Sequence, residues 1–216
     1  GDLQGALDLA LEAAAVHPGP NQDARLGNIE RSHGNFDAAE ALFRKAGAGY
    51  QGSSARPRAW THLQLGLMDL EAGRLDDAMA HYRDADRELP GWWLIEEHMA
   101  EILTLEGNLD HAIPRYEDLV LRTGNPEFMD ALAAIWRSRG EHRLAADWAS
   151  RAERIYASRL ARFPEATYGH ALGHYLEFGS DPAFTVELAR RNASLRPNPE
   201  AMALLAEAEA QFAKAP

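Results

Sequence analysis

The stretch AWTHLQLGLMDLEAGRLDDAMAHYRDADRELPGW, residues 59–92, decides the fold. It reads as two helices around one turn. Apolar residues recur at three- and four-residue steps on either side of Gly73, the spacing of a helix with one buried stripe. Gly73 can take the left-handed backbone that ends the first helix, and Pro90 stops the second. The small residues Gly66, Ala78 and Ala85 let the two helices approach closely. No segment alternates with period two between turn dipeptides, so no strand is expected.

The same phrase recurs along the chain: a glycine, an apolar residue two on, and Ala three further. It stands at Gly34-Asn35-Phe36 with Ala39, at Gly73-Arg74-Leu75 with Ala78, and at Gly107-Asn108-Leu109 with Ala112. Gly140 with His142 and Ala145, and Gly1 with Leu3 and Ala6, repeat it. Gly179-Ser180-Asp181 is a looser copy. These glycines are 33, 39, 34, 33 and 39 residues apart. Seven residues before most of them comes Leu-Gly or a relative: Leu26-Gly27, Leu65-Gly66, Met99-Ala100 and Leu132-Ala133. Leu172-Gly173 precedes Gly179 by six. An aromatic follows the alanine by four in Ala39/Phe43, Ala78/Tyr82 and Ala112/Tyr116. A fixed period near 34 residues is the mark of a helical-repeat array.

In these motifs the chain resembles the tetratricopeptide repeat (TPR) family, whose unit is a helix–turn–helix of about 34 residues. The resemblance covers essentially the whole chain, and residues 59–92 fit it best. Asp23, His62 and Glu96 stand where the family usually has Trp in the first helix, and Ala149 replaces the expected aromatic in the fifth copy. The resemblance implies an all-α, right-handed superhelical solenoid of antiparallel helix pairs. It divides into a partial unit 1–19, units 20–58, 59–92, 93–125, 126–164 and 165–198, and a capping helix at 199–213.

Helices are expected near 2–16, 20–33, 35–47, 56–72, 75–88, 92–106, 109–122, 126–139, 141–162, 165–178, 181–195 and 198–213. Two units are long by about five residues. The insertion at 46–54 is rich in Gly and Ser and reads as a loop. The other continues a helical pattern through Ile155 and Leu160 to Pro164. Helix 2–16 corresponds to a second helix whose first helix is missing. The expectation is a fragment of a longer chain, or one shortened at its start, with an apolar face on which a second copy could dock.

Composition narrows the function. The chain has 216 residues, 46% hydrophobic and 25% charged. Lys and Arg number 22 against 33 Asp and Glu, a net charge of −11. So acidic a surface argues against nucleic acid, which needs a basic stripe. The absence of cysteine excludes disulfides, thiolate zinc sites and a cysteine nucleophile. No apolar run approaches the length of a membrane span. No phosphate-binding glycine loop, nucleophile elbow or zinc-protease motif is present, so no enzyme is expected.

The resemblance implies that the first helix of each pair lines a concave, partner-binding groove. Carried over position by position, it selects Arg25, Asn28 and Arg31 at one end. It selects Trp60, Gln64 and Leu67 in the middle, then Glu97, His98, Glu101 and Asp130. The expected partner is a protein or peptide: Arg25, Asn28 and Arg31 orient its polar end, Trp60 and Leu67 bury its apolar side chains, and the acids favour basic residues. Arg25 and Asn28 echo a carboxylate clamp, but Ala24, Leu63, Gln64 and Leu94 leave that set incomplete. Trp136 and Trp148 read as core.

One spacing suggests different chemistry. His170 and His174 are four apart, so on a helix they point the same way and could share a transition metal with Asp130. Otherwise no cofactor is expected. Three functions follow: a non-enzymatic scaffold binding an extended segment, a metal- or small-ligand-binding solenoid using the His-rich C-terminal half, and a self-assembling module.

Overall fold

The structure is a computed structural model that describes residues 3–214. The repeat phrase beginning at Gly1 starts outside the described residues. Twelve helices and no strand occur among those residues. They are α1 (Leu3–Val16), α2 (Pro20–Ser32), α3 (Phe36–Gly49), α4 (Arg56–Glu71), α5 (Leu75–Glu88), α6 (Trp93–Leu105), α7 (Leu109–Thr123), α8 (Pro126–Ser138), α9 (His142–Arg162), α10 (Pro164–Phe178), α11 (Pro182–Leu195) and α12 (Pro199–Lys214). Each expected helix forms within about two residues of its sequence bounds. None among the described residues is long and apolar enough to cross a membrane.

The helices divide into two compact units, α1–α6 and α7–α12. In the first, α2 packs most extensively with α3 and α4 with α5, while α3 meets α4 and α5 meets α6. In the second, the α8–α9 pair dominates, and α10 packs against both α9 and α11, which carries α12. Proline opens five of the helices, α2, α8, α10, α11 and α12. Its missing N–H costs nothing in the first turn, where no intrahelical acceptor exists.

The turn glycines behave as the repeat phrase requires. Gly34, Gly73, Gly107 and Gly140 have φ of 80°, 72°, 74° and 79°. At Gly73 the glycine N–H donates to the Leu70 carbonyl at 3.0 Å and the Arg74 N–H to the Asp69 carbonyl at 2.8 Å. These paired bonds satisfy carbonyls left over at the helix end. The sixth copy departs. Gly179 has φ of −68°, and its glycine is needed for another reason: a Cβ there would sit 2.4 Å from the Tyr175 carbonyl oxygen. The next helix starts with a side-chain cap instead, Asp181 Oδ1 accepting from the Phe184 N–H at 3.0 Å.

The Leu-Gly pair also has a physical cause. A Cβ on Gly66 would lie 2.3 Å from Tyr82 Cε1, and one on Gly27 would lie 2.8 Å from Phe43 Cε1. Both aromatic residues are fully buried. The glycine of α4 and the aromatic of α5 therefore share one volume, as do their counterparts on α2 and α3. Around Tyr82 a core gathers from α4, α5 and α6, including Leu63, Ala78, Ile95 and Ile102.

Two sequence expectations need correction. The 46–54 insertion is not all loop, since α3 runs on to Gly49. Ala46 is fully buried, and a Cβ at Gly47 would meet Thr61 Oγ1 at 2.9 Å, so packing on α4 holds that extra turn. Trp136 and Trp148 are half-buried rather than core. Each carries an arginine over its ring, Arg139 at 5.6 Å and Arg151 at 3.9 Å.

Helix propensity alone favours Gly→Ala by about 1 kcal/mol, whereas overpacking a filled core costs about 1–3 kcal/mol. With a 2.3 Å approach to an enclosed ring, the steric cost wins. Gly66→Ala should lower unfolding free energy by about 1 kcal/mol or more in urea titration. Gly52→Ala, with nothing within 4 Å of the new Cβ, should stay within about 0.5 kcal/mol.

Candidate functional site

The residues selected from the sequence fall on both units. In the first, Arg25 and Asn28 stand exposed on α2 one helical turn apart. Arg31, a turn further on, is not free to meet a partner. Its Nη1 donates to Gln64 Oε1 at 3.2 Å and its Nε to Glu71 Oε2 at 3.3 Å, and its other guanidinium nitrogen forms an ion pair with Glu71. Gln64 is itself buried. The network ties α2 to α4 across forty residues of sequence.

Trp60 and Leu67 are placed differently from the expectation that they bury a partner's side chains. Trp60 is half-buried, edge-on to Phe43 with centroids 5.8 Å apart. Leu67 packs against the Tyr82 core. Much of their apolar surface is already taken up by the protein itself.

On α6, Glu97, His98 and Glu101 form one cluster. His98 Nδ1 donates to Glu101 Oε2 at 2.9 Å and stands 3.3 Å from Glu97 Oε2. Its ring stacks on Tyr82, 5.3 Å between centroids and 18° between planes. Burial by itself would lower the His98 pKa, but the bond to Glu101 and the charges of Glu97 and Glu101 outweigh it, and the net shift is upward. Burial first, then the same two carboxylates, push the Tyr82 hydroxyl above its usual range.

In the second unit, Asp130 on α8 accepts from His174 Nδ1 at 2.7 Å, and Glu127 pairs with His170 Nδ1 at 2.5 Å. The two histidines therefore take separate carboxylates. His174 is 3% exposed, enclosed by Tyr156, Tyr175 and Phe178, while His170 is exposed. The charges of Asp130 and Glu127 also reach Tyr156, whose hydroxyl pKa is raised by burial first and then by these two carboxylates. The expected trio His170, His174 and Asp130 is not gathered around one point. Among the described residues, two groups of three bring ligand atoms within 4.8 Å of one another: Glu97/His98/Glu101 and His62/His81/Asp84.

Sequence reasoning missed the second of these groups. His62 was visible only as a departure from the usual Trp. His81 and Asp84 share a face of α5, and folding about Gly73 brings residues at similar distances before and after the turn together. That hairpin symmetry was the available signal.

Arg137 on α8 and Glu177 on α10 form an ion pair forty residues apart, the spacing of Arg31 and Glu71. The Arg137 guanidinium also lies 4.8 Å over the Phe178 ring. In each unit the repeat thus places an arginine near the end of one first-of-pair helix opposite a glutamate on the next. A pocket of about 370 Å³ opens beside His170, lined by Glu127, Asn192, Arg196, Asn198 and Glu200.

No protein-family model matches the sequence, and no curated protein matches it. Among solved structures the chain is similar to MamA, with a TM-score of 0.60 and 16% identity over 74% of this chain and 92% of that one. It is similar to the Cut9–Hcn1 hetero-tetramer of the APC/C, at a TM-score of 0.58 and 13% identity, over 96% of this chain and 39% of that one. It is also similar to the C-terminal part of a TPR repeat-containing protein from Cytophaga hutchinsonii, at 0.59 and 13%, over 94% and 95% of the two chains. At these identities the likeness is one of fold: the chain is an all-α solenoid of TPR-like helix pairs.

The His98 cluster makes stability depend on pH. Because its folded pKa is raised above the unfolded value of about 6.5, its contribution is fully present below that value. It is lost as pH rises through the folded pKa. An NMR titration should place the His98 midpoint above about 6.5, and Glu101→Gln should move it down. The stability difference between the two proteins should shrink above the wild-type midpoint.

Proposed function

We propose that the chain is a non-enzymatic interaction scaffold that takes an extended segment of another protein along the first-of-pair helices of its first unit. The observation that carries this reading is the order of that face. Arg25 and Asn28 stand exposed on α2, the Arg31–Gln64–Glu71 network holds the middle, and Glu97 and Glu101 make the α6 end acidic. A face already held by its own bonds loses little freedom when a partner docks. Opposite charges at its ends orient a segment, with an acidic group toward Arg25 and basic side chains toward α6. The fold supports the reading because stacked helix pairs expose extended binding surfaces. One solved neighbour, Cut9, is held with Hcn1 in a hetero-tetramer.

A second reading is favoured by α1. Leu9 and Val16 are 69% and 70% exposed and one heptad apart, so they share a face that a second copy could cover. Self-association through α1 would appear as a concentration-dependent mass in sedimentation and vanish in Leu9→Glu. A single mass at all concentrations ends this reading.

The scaffold reading is tested by photo-crosslinking side chains placed at Arg25, Asn28 and Glu101, with Arg83 and Asp76 on α5 as controls. The expected outcome is one partner, captured from the first three positions and not from α5. Arg25→Glu and Glu101→Lys should each weaken that partner about two- to fivefold, the scale of an exposed ion pair, with added salt weakening the wild type. Capture from the α5 positions alone would overturn the proposal.

A further inference from the structure

We propose that His62, His81 and Asp84 form a binding site for a divalent transition-metal ion of the zinc class, joining α4 to α5 within one helix pair. One ligand atom from each of the three lies within 4.8 Å of the others, and His62 Nδ1 is 4.0 Å from Asp84 Oδ2. Zinc bonds of about 2.0–2.2 Å in a tetrahedron put ligand atoms about 3.3–3.6 Å apart. The ends of three side chains, none of them locked in a fully closed core, need only draw in slightly to reach that spacing.

Four further observations point to the ligand. First, the Nδ1 atoms of both His62 and His81 are buried without a hydrogen-bond partner. Such an atom lacks the bond it would make in water, and a metal would satisfy both at once. The two rings are 6.2 Å apart, inclined by 34°.

Second, the carboxylate is oriented. Arg87 pairs with Asp84 Oδ1, which leaves Oδ2 on the histidine side. Third, His81 has a carboxylate behind it, with Nε2 3.6 Å from Asp69 Oδ2. Asp69 is itself held by Arg74 through Nε at 2.9 Å and Nη2 at 2.6 Å. Metal-bound imidazoles commonly give their second N–H to such a carboxylate, which fixes the ring and makes it a better ligand.

Fourth, both histidines favour the neutral form that metal needs. Burial lowers the pKa of each, and the neighbouring His81 lowers that of His62 further. Two imidazoles and one carboxylate suit zinc, cobalt or copper better than calcium or magnesium, which take oxygen ligands. Arg44 and Arg87 oppose a cation here, and Glu88, Glu40 and Asp69 favour one. A water completes the fourth position.

The other two His-rich places are already satisfied internally. His98 Nδ1 is bonded to Glu101, and His170 and His174 each hold their own carboxylate.

The test is calorimetry of zinc chloride into the full chain at neutral pH, repeated with cobalt(II) and read by its absorption in the visible. Wild type should bind one equivalent. His62→Gln and His81→Gln should each weaken binding at least about tenfold, and Asp84→Asn should weaken it measurably. His98→Gln and the double variant His170→Ala/His174→Ala should bind as wild type does. Circular dichroism reports folding of each variant. Asp84 is partly exposed, so its variant remains readable if a histidine variant unfolds. Zinc should also raise the melting temperature of wild type, and by less that of Asp84→Asn. Absence of saturable binding in wild type, unchanged binding in Asp84→Asn, or loss of binding in the His170/His174 double variant would each overturn the proposal.

Discussion

The absent side chain of Gly66 opens the space that the Tyr82 ring fills, and much of the first unit follows from that contact. With no Cβ at Gly66 of α4, α5 lies close enough for the ring to be completely enclosed. The enclosed ring then supplies the floor on which His98 of α6 stacks. Gly27 and Phe43 repeat the arrangement one pair earlier. A repeat protein multiplies such a contact because each pair meets only its neighbours. The glycine–ring fit is seen in these two pairs; the next copy keeps the aromatic, Tyr116, with Ala100 in the glycine's place, and the copy with Ala149 has Ala133.

The polar face is ordered by a second long-range rule. Arg31 meets Glu71 and Arg137 meets Glu177 at one sequence separation in two different units. Exposed ion pairs contribute little to stability, typically about 0–1 kcal/mol. Their effect is geometric: they hold long side chains in one place and remove those cations from competition for a ligand. Arg31 becomes part of the protein's own frame, and Arg25 and Asn28 are left as the groups that can reach outward. The histidines sort in the same way. His174 fills a buried position against Asp130 and three aromatic rings, while His62 and His81 keep buried ring nitrogens that no neighbour satisfies.

The substitution at His62 connects these themes. In the family this chain resembles, a large aromatic usually occupies that place, and its role would be packing. An imidazole is smaller and carries two nitrogens that need partners. Placed opposite His81 and Asp84 by the Gly73 turn, it turns a packing position into one with donor atoms on both helices of a pair. The fold tolerates this because the enclosed volume of the pair is already supplied by Tyr82, Leu63 and their neighbours.

The sequence by itself determined the helices and the turns between them. Those features depend on residues close in the chain: glycines that take positive φ, prolines that begin or stop helices, and apolar residues at helical spacing. The left-handed turns at Gly34, Gly73, Gly107 and Gly140 were legible for that reason; at Gly179, where φ is −68°, the glycine is called for by the Tyr175 carbonyl that a Cβ would strike. The choice of groove residues named a face but not the state of its side chains. Only the tertiary structure decided that Arg31 and Gln64 are bonded to each other, that Trp60 leans on Phe43, and that His170 and His174 part company toward Glu127 and Asp130. It alone brought His62 to His81 and Asp84. Side-chain partners come from helices tens of residues away, and a one-dimensional period does not fix which atoms meet.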